Sequence, residues 1–260
     1  MSEGPLAGIG ILVTRPRDQA GALLAAIEAQ GGEAILFPTL EIVPRPSAEI
    51  RADAARLDDP DIAIFVSPNA VQFGLEYAGS GALTAIGPAT AAAIEAAGGA
   101  AEIRSASGFD SEHLLAEPAL EDVAGKLVRI IRGRTGRELL AETLRSRGAR
   151  IDFLPVYDRV LPAYEAEEIE AIDAKWRSGR IDVVTVMSTE SLKNLIAILP
   201  ASCRNLLTQT RLVTPAARVI KEALDLLPGI PTTLARGPQV DDMVLAILEL
   251  GSKSPDETDE

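Results

Sequence analysis

Two short loops carry the densest chemistry in the chain. Thr14-Arg15-Pro16-Arg17 and Arg132-Gly133-Arg134-Thr135-Gly136 each set a pair of arginines one residue apart, directly after an apolar run. A guanidinium is a planar, permanently charged fork of donors that matches a carboxylate or phosphate, so two such loops predict a polyanionic ligand. Further loops of the same kind are Ser67-Pro68-Asn69, Gly87-Pro88-Ala89-Thr90, Ser188-Thr189-Glu190 and Thr214-Pro215-Ala216. In parallel α/β sheets ligands sit beyond the carboxyl ends of the strands, where strand-to-helix loops offer backbone N–H groups and helix N-termini. Ser and Thr before a helix are also ordinary N-caps, and Pro an ordinary first helical residue, so each loop alone has a purely structural reading. Taken as a set, the candidate binding residues are Thr14, Arg15, Arg17, Ser67, Asn69, Gly87, Thr90, Arg132, Arg134, Ser188, Thr189 and Thr214.

Other reactive side chains are few. His113 is the only imidazole and reads as a surface residue of a capped helix. Cys203 is the only thiol, so no internal disulfide forms, and with one distant histidine no metal site of ordinary spacing is expected. Trp176 reads as packing. Tyr157 stands between Val156 and Asp158 in a proline-bracketed segment, where alternation turns one face toward a ligand and the other onto a lobe, and both readings stay open. Nucleotide motifs fail. Gly8-Ile9-Gly10 precedes its strand and lacks the third glycine of a dinucleotide fingerprint, and no phosphate-wrapping G-x-x-x-x-G-K-[ST] or nucleophile elbow G-x-S-x-G occurs. Gly133 to Gly136 is long enough only for an anion-binding nest. No cofactor is expected.

The elements that carry these loops repeat. Arg15 to Arg132, Arg17 to Arg134, Gly31 to Gly148 and Pro38 to Pro155 keep one offset of 117 (132 minus 15). Asp61-Ile-Ala-Ile-Phe-Val-Ser67 then resembles Asp182-Val-Val-Thr-Val-Met-Ser188, and Ile86-Gly87-Pro88 resembles Val213-Thr214-Pro215. One βαβ unit has been duplicated. Short β-branched runs alternate with helical-period runs, and strands are expected near Ile9–Thr14, Ala34–Phe37, Ile62–Val66, Leu83–Ile86, Leu127–Ile131, Arg150–Phe153, Val183–Met187, Arg211–Val213 and Thr232–Ala235. Phe37 to Pro44 and Leu154 to Pro162 are bracketed by prolines, which remove ladder donors, so both are expected as extended connectors. The fold class is then α/β, two similar doubly wound, flavodoxin-like parallel-sheet lobes joined by a two-stranded connector. Residues 1–38 and 160–250 form the first lobe, 39–159 the inserted second, 251–260 a disordered acidic tail, and function is expected in the space between the lobes.

Charge narrows the partners. The formal net charge is −13, from 38 acidic against 25 basic residues, much of it in Glu165 to Asp173 and in the tail. One Trp, three Tyr and five Phe offer no stacking platform, so nucleic acid is excluded as a partner. No apolar stretch nears the roughly 18 residues of a membrane span, and Met1-Ser2-Glu3-Gly4-Pro5 lacks the pattern of a secretory signal, so a cytoplasmic monomer is expected.

Over nearly its whole length the chain resembles the uroporphyrinogen-III synthase family. The resemblance rests on Val13-Thr-Arg-Pro16, Phe65-Val-Ser-Pro-Asn-Ala-Val71, Ala85-Ile-Gly-Pro-Ala-Thr90, Gly108-Phe-Asp-Ser-Glu112, Leu154-Pro-Val-Tyr157 and Gly237-Pro-Gln-Val-Asp-Asp-Met-Val244. It implies a two-lobed enzyme, without cofactor or metal, that cyclises the linear tetrapyrrole hydroxymethylbilane to uroporphyrinogen III. Water is lost and the terminal ring inverted through a spiro intermediate. The substrate's many carboxylates would give the Arg-x-Arg loops their purpose, and a transient contact with the enzyme that supplies hydroxymethylbilane is implied. The family tyrosine matching Tyr157 assists departure of the hydroxyl, a family threonine matches Thr90, and Ser67 and Ser188 match serines of the site. This chain departs from some members by Ala216 and Ala217 where they hold two threonines, which throws that role onto Thr214 or backbone amides. The competing reading is a two-lobed cytoplasmic small-anion binder or regulatory protein without catalysis.

Overall fold

The structure, a computed structural model, describes residues 4–105, 108, 110–136 and 138–251. The tail expected to be disordered lies outside this range except Gly251, which ends the last helix. In chain order the strands are β1 (Gly10–Val13), β2 (Glu33–Leu36), β3 (Glu41–Pro44), β4 (Ile62–Phe65), β5 (Ala82–Ala85), β6 (Ile103–Arg104), β7 (Leu127–Gly133), β8 (Arg150–Val160), β9 (Val183–Thr185), β10 (Arg211–Thr214) and β11 (Thr232–Leu234). The α-helices are α1 (Arg17–Ala29), α2 (Ser47–Ala54), α3 (Pro68–Gly74), α4 (Pro88–Ala96), α5 (Ser111–Leu115), α6 (Leu139–Ser146), α7 (Ala166–Arg177), α8 (Thr189–Ile198), α9 (Ala201–Leu207), α10 (Ala217–Leu226) and α11 (Val240–Gly251). The chain divides into two compact units, Met1–Glu41 with Leu161–Glu260, and Ile42–Val160.

In the first unit five parallel strands lie in the order β11-β10-β9-β1-β2. Numbered within the unit this is 2-1-3-4-5, the flavodoxin-like doubly wound order. Period 2 sorts the apolar residues onto two faces: Ile11, Val13, Val183 and Val213 pack with α1 and α11, whereas Leu12, Val184 and Leu212 pack with α7 to α10. Trp176 is packed here, its Nε1 donating to Thr210 Oγ1 at 2.7 Å. Cys203 is buried, with Sγ 2.8 Å from Asp173 Oδ1, and burial pushes the thiol up to about 12.

The second unit has the order β3-β8-β7-β4-β5-β6. Without β3 this is again 2-1-3-4-5, because β7 and β8 repeat β1 and β2 while β4 to β6 correspond to β9 to β11. Each doubly wound sheet therefore takes its first two strands from one copy and its last three from the other. A matched hydrogen bond marks both joins. Asp182 Oδ2 accepts from the Gly10 N–H at 2.8 Å, and Asp61 Oδ2 from the Leu127 N–H at 2.7 Å.

The proline-bracketed segments expected as a two-stranded connector are paired strands that also belong to this sheet: β3 is its edge strand and pairs β8, and β8 runs on through Val160. Pro155 is accommodated because the β7–β8 register shifts there, Arg132 facing Pro155 and Gly133 facing Tyr157. Val156 is the extra residue of a bulge, the one place besides an edge where a strand tolerates proline. β6 lies beyond the strands expected from the sequence.

Close approach fixes some glycines and leaves others free. A Cβ on Gly10 would sit 1.8 Å from the Arg180 carbonyl oxygen, whereas one on Gly21 in α1 meets nothing within 4 Å. Gly10→Ala is expected to destabilise the protein by more than about 2 kcal/mol in chemical denaturation, and Gly21→Ala to stabilise it by roughly 0.5–1 kcal/mol through helix propensity.

Candidate active site

A doubly wound sheet opens at its switch point, where the chain leaves neighbouring strands toward opposite faces. In the first unit that point lies between β1, which leads to α1, and β9, which leads to α8. In the second it lies between β7, leading to α6, and β4, leading to α3. Thr14, Arg15, Arg17, Ser188 and Thr189 gather at the first, and Ser67, Asn69, Arg132 and Arg134 at the second. Gly87 and Thr90 follow β5, and Thr214 ends β10, each one strand farther along.

Several predicted hydroxyls are used inside the protein. Thr14 is fully buried; its Oγ1 donates to the Thr185 carbonyl at 2.6 Å and lies 3.2 Å from Ser191 Oγ. Ser191 Oγ is in turn 2.5 Å from Thr39 Oγ1, and Asn194 Nδ2 donates to the Thr39 carbonyl at 2.8 Å. This network, which motif reading missed, ties the chain after β2 to the start of α8. Ser188 Oγ accepts the Ser191 N–H at 3.1 Å, an N-cap, and Thr214 Oγ1 accepts the Ala216 N–H at 3.3 Å. Thr214 thus spends its oxygen on its own turn, while the first turn of α10 has no side-chain cap. Thr90 is nearly buried in the first turn of α4, whose N-cap Gly87 offers only backbone. Asn69 is half-buried in the first turn of α3.

Tyr157 is placed by the bulge. Plain alternation after buried Leu154 and Val156 would turn Tyr157 to the opposite face, but the extra residue sends Val156 and Tyr157 into the same core, and Tyr157 is fully buried there. Gly133 is what admits the ring, since a Cβ there would come within 2.7 Å of Tyr157 Cε2. The hydroxyl is 3.1 Å from Ser67 Oγ, which also accepts the Ala70 N–H as N-cap of α3. Ser67 itself is half-buried at the loop.

The two Arg-x-Arg loops, alike in sequence, differ in electrostatics. Arg132 is buried, 2.9 Å from Glu138 Oε1, with its guanidinium 4.6 Å from the Phe153 ring centre. Arg134 grips Asp158 with two bonds, at 2.7 and 3.3 Å, and its N–H donates to the Tyr157 carbonyl at 2.9 Å. Hydrogen bonding to Asp158 raises its already high pKa. Arg15 instead donates from Nη2 to the Pro238 carbonyl at 2.7 Å, its Nε has no partner, and burial lowers its pKa. Arg17 is exposed. Among the described residues neither Arg15 nor Arg17 has a carboxylate partner.

His113 is exposed on α5, as expected, although a carboxylate does face it: Nδ1 is 2.6 Å from Asp110 Oδ1. No group of three or more His, Cys, Asp or Glu among the described residues could hold a metal, and no described helix is long and apolar enough to cross a membrane.

The family model described as uroporphyrinogen-III synthase HemD matches residues 21–244. The chain belongs to the uroporphyrinogen-III synthase family. It is 34% identical over 237 residues to the uroporphyrinogen-III synthase of Salmonella typhimurium, covering 84% of this chain and 92% of that one. To the enzyme of Escherichia coli it is 32% identical over 228 residues, again 84% and 92%. Among solved structures, uroporphyrinogen-III synthetase from Helicobacter pylori superposes with a TM-score of 0.63 at 15% identity, covering 93% of this chain and 99% of that one. A mutant synthase from Thermus thermophilus gives 0.62 at 20%, covering 93% and 98%. At such identities the likeness speaks for the fold. Membership makes the chain an enzyme of tetrapyrrole biosynthesis whose activity is the cyclisation of hydroxymethylbilane to uroporphyrinogen III.

Tyr164, another residue that motif reading passed over, anchors the return of the chain into the first unit. Its ring stacks on Phe37 at 4.5 Å, its hydroxyl donates to the Pro38 carbonyl at 2.6 Å, and burial raises its pKa to about 12. The folded state therefore holds this proton between pH 10 and 12 where the unfolded chain releases it, so stability falls as pH rises through that window. Denaturation at several pH values is expected to show that fall in the native protein and a smaller one in Tyr164→Phe.

Proposed function

We propose that Tyr157 and Ser67 act together on the departing hydroxyl of hydroxymethylbilane, and that strand-to-helix loops take its carboxylates. The observation that carries this reading is the 3.1 Å contact between Tyr157 Oη and Ser67 Oγ at the carboxyl edge of β4 and β8. Tyr157 is buried, and Ser67 links it to the loop. Ser67 Oγ accepts the Ala70 N–H and the phenol; it passes its own proton to the leaving hydroxyl, which departs as water, while the phenol's proton moves onto Ser67 and the proton shed by the pyrrole N–H returns to the pair. The electron-rich pyrrole expels that group to leave an azafulvene, so modest acid assistance suffices. Ring closure through the spiro intermediate then needs the reactive carbons held close, a proximity effect that owes nothing to a strong acid.

Backbone amides at Gly87 and at the bare first turn of α10 take carboxylates where Thr214 is committed to its own turn. Thr90, Asn69, Ser188 and Thr189 line the same edges. Arg132 and Arg134, already paired, act by fixing the loop against Tyr157. The enzyme works as a cytoplasmic monomer that receives its unstable substrate from the enzyme that makes it, through a transient contact.

Freshly made hydroxymethylbilane tests the reading. The native protein is expected to yield the type III isomer; formation of only the uninverted type I product, which arises without enzyme, overturns it. Tyr157→Phe and Ser67→Ala are each expected to lower kcat by roughly ten- to a hundredfold without abolishing it, and the double variant to lose little more than either single. Additive losses break the link between the two residues.

A further inference from the structure

We propose that the duplicated Arg-x-Arg loop has split into two roles, the Arg15/Arg17 copy in the first unit keeping anion binding and its Arg132/Arg134 counterpart neutralised by the protein's own carboxylates. This rests on the family reaction, whose polycarboxylic substrate supplies the anions.

The repeat itself shows how the loops diverged. Subtracting the offset of 117, the partner of Arg132, Glu138, corresponds to Gly21, and the partner of Arg134, Asp158, corresponds to Glu41. The first substitution deletes a carboxylate. The second retains one but moves it: Glu41 begins β3, which pairs in the second unit's sheet, while Asp158 stays in β8 beside β7 and within reach of Arg134. The copies also differ in backbone. α1 begins at Arg17, whereas α6 begins only at Leu139, the position matching residue 22 of the first copy. Arg17 therefore stands on the first turn of a helix whose N-cap, Pro16, gives no side-chain hydrogen bond, and Arg15 stands just before it. The one acid in that turn, Asp18, is exposed and is not paired with either arginine among the described residues. A half-buried, partly unsatisfied cation beside an exposed one, at a bare helix start and at a switch point, is a charge constellation completed by an external anion.

Removing an arginine tests the loop but also removes packing, since Arg15 holds the Pro238 carbonyl. Restoring the missing carboxylate is cleaner. A Cβ at Gly21 meets nothing within 4 Å, and the position is exposed, four residues after Arg17 on its face of α1. In the full-length enzyme acting on hydroxymethylbilane, Gly21→Glu is expected to raise KM about three- to tenfold with kcat little changed, and Gly21→Gln, of the same shape without charge, to leave both near native. Arg17→Ala is expected to raise KM about tenfold, and the gap between the Glu and Gln variants to narrow as salt is added. Equal KM for Gly21→Glu and Gly21→Gln, together with an unchanged KM in Arg17→Ala, overturns the assignment. The native enzyme in the same assay separates that outcome from failure of the family reaction, because only the latter removes the type III product from every sample.

Discussion

The structure depends on parallel pairing between strands of different copies: β1 on β9 in one unit, β7 on β4 in the other. At each of these central joins an aspartate that opens the third strand, Asp182 or Asp61, holds the first N–H of its neighbour. Because the joined strands run the same way, the loops that follow them open side by side at one edge, and because their helices go to opposite faces that edge is left uncovered. Ser67 and the Arg15/Arg17 pair stand on those loops, Tyr157 on the strand beside β7, and Gly87, Thr90 and the start of α10 one strand farther along. The exchange of strands also explains why the chain must cross between units twice, and why the prolines lie where it does.

Duplication produces symmetry, and an isomer-specific cyclisation needs the symmetry broken. The two copies break it by single residues. At the position of Tyr157 the first copy has Leu40, at that of Thr90 the second has Ala217, and at that of Glu138 the first has Gly21. In one loop the arginines are bound into the protein and serve to hold Gly133 and Tyr157 in register. In the other neither arginine has a carboxylate partner among the described residues. The two loops thus differ by one deleted carboxylate and one relocated one.

Much of this was legible in the sequence because it rests on local rules. Alternation, repeat offset and Gly and Pro placement located nine of the strands and all the switch-point loops. What was illegible depends on partners distant in the chain. The bulge at Val156 is defined only by register against β7, so alternation alone does not say which face Tyr157 takes. The ion pairs of Arg132 and Arg134 depend on where the backbone carries Glu138 and Asp158; the Asp158–Glu41 match was visible, but which copy keeps the pair was not. The Thr14, Thr39 and Ser191 network joins residues more than 150 positions apart, and no motif marks it. Hydroxyls that read as ligand contacts at Thr14 and Thr214 proved to be internal for the same reason: a Thr after a strand serves a ligand or its own backbone, and only the fold decides between them.

An enzyme with a formal charge of −13 that binds a polyanion faces a general repulsion. The carboxylates of α7 from Glu165 to Glu170 are exposed, and in physiological salt their field fades over roughly 8 Å. Contact at hydrogen-bond distance obeys a different balance. There a desolvated guanidinium interacts in a medium less polar than water, and its benefit depends on whether a protein carboxylate has already claimed it. Binding by such a chain therefore turns less on how many arginines it has than on which of them it leaves unpaired, and a loop whose arginines already hold carboxylates must give up one anion to take another. Among the described residues Arg15 and Arg17 hold no carboxylate, so of the two nearly identical loops theirs is the one with none to give up.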